Sequence, residues 1–129
     1  MVEVQIARRG VRDVRVLDAM REVPRETFVP QDLREFAFDD APLPIDAGQT
    51  ISQPYIVAVM AEAAHLGPED RVLEIGAGSG YASAILGRLA HRVYAIERHQ
   101  VLADSAKTRL ERLRATNVRV VCGDGTRGL

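Results

Sequence analysis

An apolar run, Arg71-Val72-Leu73-Glu74-Ile75, leads directly into Gly76-Ala77-Gly78-Ser79-Gly80, and a helical pattern follows with Ala84, Ile85, Leu89 and Ala90 on one face. Few folds accept glycine at every second position between a strand and a helix. The combination predicts the first half of a nucleotide-binding βαβ unit in an open parallel sheet, with its strand buried on both faces. The glycines let the backbone turn sharply and let a ligand approach with no Cβ in the way. The following helix N-terminus brings unpaired N–H groups and a positive dipole end to the same loop.

Spacing narrows the ligand. The dinucleotide fingerprint is G-x-G-x-x-G. Here the third glycine, Gly80, comes one residue early, and Tyr81 stands where the dinucleotide glycine would be. Glu74 precedes the loop inside the strand. This E-x-G-x-G-x-G pattern resembles the first motif of S-adenosylmethionine-dependent methyltransferases, whose ligand carries a carboxylate and an amine but no phosphate. A second strand, Arg92 to Ile96, ends in Glu97, 21 positions after Gly76, close to the ~20 expected of the acidic residue that grips a ribose. A helix over roughly residues 99–114 leads to a third strand, Val118 to Val121, with Gly123-Asp124-Gly125 at its carboxyl end. Open α/β sheets bind ligands at such ends, so three successive strand ends offer one ligand Gly76, Gly78, Ser79 and Gly80, then Glu97, then Asp124 and Gly125. Read more plainly, Glu74 and Glu97 are solvated carboxylates and Asp124 is a turn residue.

The upstream half carries more specific motifs: Val23-Pro24-Arg25-Glu26-Thr27-Phe28-Val29-Pro30, then Pro42-Leu43-Pro44-Ile45, then Gly48-Gln49-Thr50-Ile51-Ser52-Gln53-Pro54-Tyr55-Ile56-Val57-Ala58. With V-L-E-I-G-x-G-S-G-Y, I-E-R and G-D-G following in order, the chain from about Val14 to Leu129 resembles the N-terminal portion of the protein-L-isoaspartate (D-aspartate) O-methyltransferase family. The resemblance implies a Rossmann-like α/β fold with an N-terminal helical extension. It implies S-adenosylmethionine as methyl donor and isoaspartyl-containing proteins and peptides as partners. The reaction it implies is transfer of the methyl to the α-carboxylate of an L-isoaspartyl residue, or less well to the side-chain carboxylate of a D-aspartyl residue. The ester then cyclises to a succinimide, which reopens partly to normal aspartate. The resemblance also places Ser52 at the active site, and Gln49, Thr50, Ile51 and Ser52 beside the cofactor with Glu74, the glycine loop, Glu97, Asp124 and Gly125.

The residues themselves read Ser52 as the N-cap of a helix with Pro54 in its first turn, burying Ile56, Val57, Val59, Met60 and Ala63. Cap and anion site are compatible at an exposed helix start. No base strong enough to activate a serine nucleophile sits in the motif, so the role expected of Ser52 is to position the incoming carboxylate. That carboxylate is already ionised, so no general base is needed and orientation carries the rate.

Elsewhere, Val11 to Val23 reads as an amphipathic helix with Val14, Leu17, Ala19 and Met20 among its apolar positions, and Leu33 to Phe38 as a short helix in a proline-rich stretch. Another helix lies between Thr50 and Leu66 and ends at Leu66-Gly67-Pro68. The 129 residues make at most one domain, divided into a substrate-side segment, 1–66, and the first half of the cofactor-binding sheet, 67–129. A net charge of −1 and scattered basic residues argue against a nucleic-acid partner. The absence of any long apolar segment argues against a membrane and for the cytoplasm. The lone cysteine, Cys122, reads as a buried thiol, and His65, His91 and His99 as surface or capping residues without metal spacing. The family continues beyond a third strand. The expectation is therefore a truncated sheet of order 3-2-1, an unpaired edge on the first strand, self-association through it, and little methyl transfer by the chain alone. Two other readings stay open: a non-catalytic cofactor-binding or interaction module, and a methyltransferase of the same fold with another substrate, against which the Gln49–Ala58 segment argues.

Overall fold

The computed structural model describes residues 1–127. Gly128 and Leu129, the end of the loop expected after the third strand, lie outside the described residues.

A π-helical turn, Val2–Ile6, passes into a 3-10 turn, Ala7–Arg9, and Gly10 closes it at φ 107°. Helix α1, Val14–Glu22, begins three residues later than the sequence pattern suggests, because Asp13 takes the cap and its side chain accepts from the Arg15 N–H. Its inward face is Val16, Ala19 and Met20, while Val14, expected in the core, is exposed. The Leu33–Phe38 region is 3-10, Gln31–Phe36, following a similar turn at Arg25–Phe28. A two-residue hairpin pairs β1, Leu43–Pro44, with β2, Thr50–Ile51, around a tight turn in which Ala47 and Gly48 have φ 59° and 67°.

Helix α2, Pro54–Ala63, corrects two expectations. Its N-cap is Gln53, not Ser52, and no side chain bonds that end: Pro54 opens the helix and shifts the boundary by one residue. Its buried residues are Pro54, Val57, Ala58 and Ala61, whereas Ile56 and Met60, read as inward, are 41% and 68% exposed. The helix ends before Leu66, with His65 in the left-handed region at φ 49°. Two backbone N–H groups ahead of α1, those of Arg12 and Asp13, donate to one carboxylate oxygen of Glu62 at 2.7 and 2.8 Å, fastening α1 to α2.

The remainder is β3 (Arg71–Ile75), α3 (Tyr81–Leu89), β4 (Arg92–Glu97), α4 (Gln100–Arg112) and β5 (Val118–Cys122). The three strands are parallel, in the order β3-β4-β5, with Leu73 opposite Tyr94 and Ile96 opposite Val121. Both crossovers run to the next neighbour, so right-handed connections put α3 and α4 on one face. Val93, Ala95 and Val120 are buried in the sheet, and Ala84, Ile85, Leu102, Ala106 and Leu110 in the helices above. The expected order is observed, but the first strand is not buried on both faces. Among the described residues β3 pairs only with β4, and Leu73 and Ile75 are 50% and 57% exposed. Cys122 is likewise half-buried rather than enclosed, with its Sγ 3.9 Å from the Arg98 carbonyl. Among the described residues no helix is long and apolar enough to cross a membrane.

Candidate active site at the strand ends

The glycine loop is shaped by β4. The N–H groups of Gly76 and Ala77 both donate to the Ile96 carbonyl, at 2.8 and 3.2 Å. One oxygen of Glu97 accepts from the Gly78 N–H at 2.9 Å, and the other from the His99 N–H at 2.8 Å. Gly80 donates to the Ala77 carbonyl, and Tyr81 to the Ser79 hydroxyl at 3.2 Å. The loop is therefore not the row of free donors the sequence suggested: its amides from Gly76 to Gly78, and those of Gly80 and Tyr81, are engaged within the chain. Glu97 is buried, so it is no idle solvated carboxylate. With two N–H bonds accepted, it retains lone pairs for further donors.

The loop glycines do different work. Gly76, Gly78 and Gly80 all have positive φ, of 88°, 56° and 91°. A Cβ on Gly76 would meet nothing within 4 Å, and one on Gly78 would meet only the Ile45 side chain at 3.8 Å. These two leave open space for a ligand. A Cβ on Gly80 would instead lie 3.1 Å from the Cβ of Ala106, so this glycine lets the start of α3 approach α4.

Glu74 points beneath α3 and accepts from the Ser83 hydroxyl. Burial pushes its carboxyl up to about 7; the Ser83 hydroxyl opposes this and the charge of Glu97 adds to it. Asp124 is exposed, and one of its oxygens accepts from both the N–H and the hydroxyl of Thr126, at 3.0 and 2.7 Å. The Thr126 bonds hold its carboxyl below the ordinary value. This is the turn role read as its plainer alternative, and the second carboxylate oxygen lies 4.0 Å from the Arg127 Nε. Gly125 seats the same loop on β3, since a Cβ there would lie 2.5 Å from Ile75 Cγ2. The Gly123 N–H donates to the Glu97 carbonyl at 2.9 Å. The three strand ends thus meet as expected.

The hairpin residues arrive by a route the sequence did not reveal. Tyr81, the first residue of α3, is buried and packs edge-on against Phe28, with ring centroids 5.6 Å apart. The Arg25 guanidinium lies over the Tyr81 ring, 4.9 Å from its centroid, and its Nη2 donates to the Ser52 carbonyl at 2.9 Å. Ser52 is thereby held one side chain away from the end of the glycine loop. Its own side chain is exposed, as are Gln49 and Thr50, while Ile51 is buried. Gln49 turns its amide back to the Ala47 carbonyl at 3.3 Å and makes no bond to the loop. Burial lowers the affinity of Arg25 for its proton, partly offset by Tyr81. A concavity of about 960 Å³ lies elsewhere, between α4 and the outer edge of β5, and none of the gathered strand-end residues lines it.

The family model for protein-L-isoaspartate(D-aspartate) O-methyltransferase matches residues 1–129. The chain belongs to this family. Protein-L-isoaspartate O-methyltransferase 2 of Pelobacter propionicus is 60% identical over 128 residues, which cover 99% of the chain and 57% of that protein. Among solved structures, a protein-L-isoaspartate O-methyltransferase superposes with a TM-score of 0.84 at 33% identity, over 100% of the chain and 44% of its own length. A Plasmodium falciparum protein solved in complex with S-adenosyl-L-homocysteine shares the fold, with a TM-score of 0.78 at 24% identity over 92% of the chain and 60% of its own. The chain spans little more than half, 52% to 61%, of the curated relatives compared.

Proposed function

We propose that the chain forms part of an enzyme that transfers the methyl of S-adenosylmethionine to the carboxylate of L-isoaspartyl, and less well D-aspartyl, residues in damaged proteins and peptides. Within it, residues 1–66 form the substrate side and residues 67–129 the cofactor side. The observation that carries the reading is the attachment of the Gln49–Ser52 segment to the start of α3, immediately after the glycine loop, through Arg25 and Tyr81. The cofactor fits the residues present. Gly76 and Gly78 leave the space a Cβ would fill, and Glu97 lies beneath as an acceptor for ribose hydroxyls. Glu74, Ser79, Gly80, Asp124 and Gly125 complete that side, with Gln49, Thr50 and Ile51 opposite.

When bound, the cofactor supplies an electrophilic methyl on a sulfonium. The cofactor would be held by the residues at the three strand ends, and the acceptor carboxylate, already ionised, would need no proton removed. The work left to the chain is placement. Ser52, exposed beside the loop, donates to the incoming carboxylate from its hydroxyl and holds it in line. A deprotonated Ser52 is not required, and no base is in reach to produce one among its described partners.

The test uses the purified enzyme of which the chain forms part, cofactor with a labelled methyl, and paired peptides that differ only in an isoaspartyl or an aspartyl residue. Label in the isoaspartyl peptide alone supports the reading. Cofactor binding without transfer would support the non-catalytic module instead. Transfer to other acceptors only would leave a methyltransferase with another substrate.

A further inference from the structure

Arg25 has an assignment of its own. Its side chain is fully buried, at 0% exposure. Among the described residues no carboxylate lies within ion-pair distance of it, and its Nη1 has no hydrogen-bond acceptor. Burying a cation without a counter-charge is costly, and an apolar side chain of similar volume fills a core better. A planar fork offers what an apolar residue lacks: fixed donors that hold separate acceptors in one geometry.

Here Nε donates to the Ala37 carbonyl at 2.6 Å and Nη2 to the Ser52 carbonyl at 2.9 Å, while the same plane rests on the Tyr81 ring. Three segments distant in sequence meet at this one group. Ser52 has no cap bond to α2 to hold it instead, since that helix starts from Gln53 without side-chain help.

We propose that Arg25 is the positioning residue that fixes Ser52 against the cofactor loop, acting through the Ser52 carbonyl and the Tyr81 ring without touching substrate. This rests on the reading of Ser52 given under the proposed function.

The test compares wild type with R25M, R25K and, as a control from the same cluster, F28L. Three quantities are read: the dissociation constant for S-adenosylmethionine, kcat and KM for the isoaspartyl peptide, and hydrogen exchange of peptides spanning residues 43–53 without ligand. R25M lowers kcat at least ten-fold with the cofactor constant held within two-fold, and speeds exchange of 43–53 about ten-fold beyond F28L at matched overall stability. R25K keeps the charge but loses the fork, and recovers less than half of the lost kcat. Should R25M not fold, R25K against F28L is read the same way. Full rescue by R25K would overturn the proposal, as would exchange no faster than in F28L, or a parallel loss of kcat and cofactor affinity. If wild type transfers no methyl, the functional reading fails while the exchange comparison still decides whether Arg25 holds Ser52.

Discussion

Glu74 makes the stability of this chain depend on pH in a direction opposite to that of most carboxylates. Its carboxyl is pushed from 4.5 to about 7, chiefly by burial. The folded chain therefore holds this proton more tightly than the unfolded chain. The favourable contribution is complete below about pH 4.5, declines as pH rises, and is gone once pH passes about 7, where the buried group must ionise. At about 1.4 kcal/mol per pH unit, the displacement corresponds to about 3 kcal/mol at full ionisation. Glu74 is only half-buried on an edge strand, so solvent screens part of this and about 1–2 kcal/mol is expected. Glu74→Gln removes the charge and keeps an acceptor for the Ser83 hydroxyl. Urea unfolding at intervals from pH 5 to pH 8.5 should show the variant near wild type at the acid end and more stable by that amount at the alkaline end. Other titrating groups cancel in the difference. A difference that stays constant across the range, or a variant weaker than wild type at pH 8.5, would refute the reasoning.

Glu97→Ala orphans the N–H groups of Gly78 and His99, so thermal unfolding should show a loss of about 1–3 kcal/mol, with calorimetry showing weaker cofactor binding; unchanged binding by the folded variant removes Glu97 from the site. Gly76→Ala and Gly80→Ala should both lose about 1–2 kcal/mol to strain at their positive φ, with Gly80→Ala losing more through its contact with Ala106 and Gly76→Ala, which meets no atom within 4 Å, losing more cofactor affinity; the reverse order in paired melts and titrations would reassign the two. Ser52→Ala should shift stability by less than about 0.5 kcal/mol, since Ser52 caps nothing, while methyl transfer per folded molecule falls; a stability loss near 1 kcal/mol would restore the cap. Leu73 and Ile75 on the open edge strand should promote association, so Ile75→Lys should lower the mean mass seen by sedimentation, and an unchanged mass would place any association elsewhere.

The strand–glycine–helix unit was legible because two periodicities meet there at a run of residues few other structures accept, and the spacing from Gly76 to Glu97 fixed the second strand end. Helix α2 was harder to read. Its residues are apolar nearly all round, so periodicity could not separate Val57 and Ala61 from the exposed Ile56 and Met60. Ser52 looks like a cap in sequence, yet Pro54 moved the boundary onto Gln53. In sequence Arg25 is one letter of a motif. Its partners are two backbone carbonyls and a ring, and carbonyls leave no mark in a sequence. Tyr81 stands in sequence where a dinucleotide glycine would be, which gives no sign that it turns inward to Phe28.

The internal bonding of the glycine loop also bears on which molecules are turned away. A pyrophosphate needs a ring of idle amides and a positive local field. Here the amides from Gly76 to Gly78, with those of Gly80 and Tyr81, already have acceptors, and the charge closest beneath the loop is the carboxylate of Glu97. The phosphates of a dinucleotide or a nucleoside triphosphate would therefore find few unpaired amides where the usual cradle offers a ring of them. The same hydrogen bonds that hold the turn in shape take up the donors a phosphate would need.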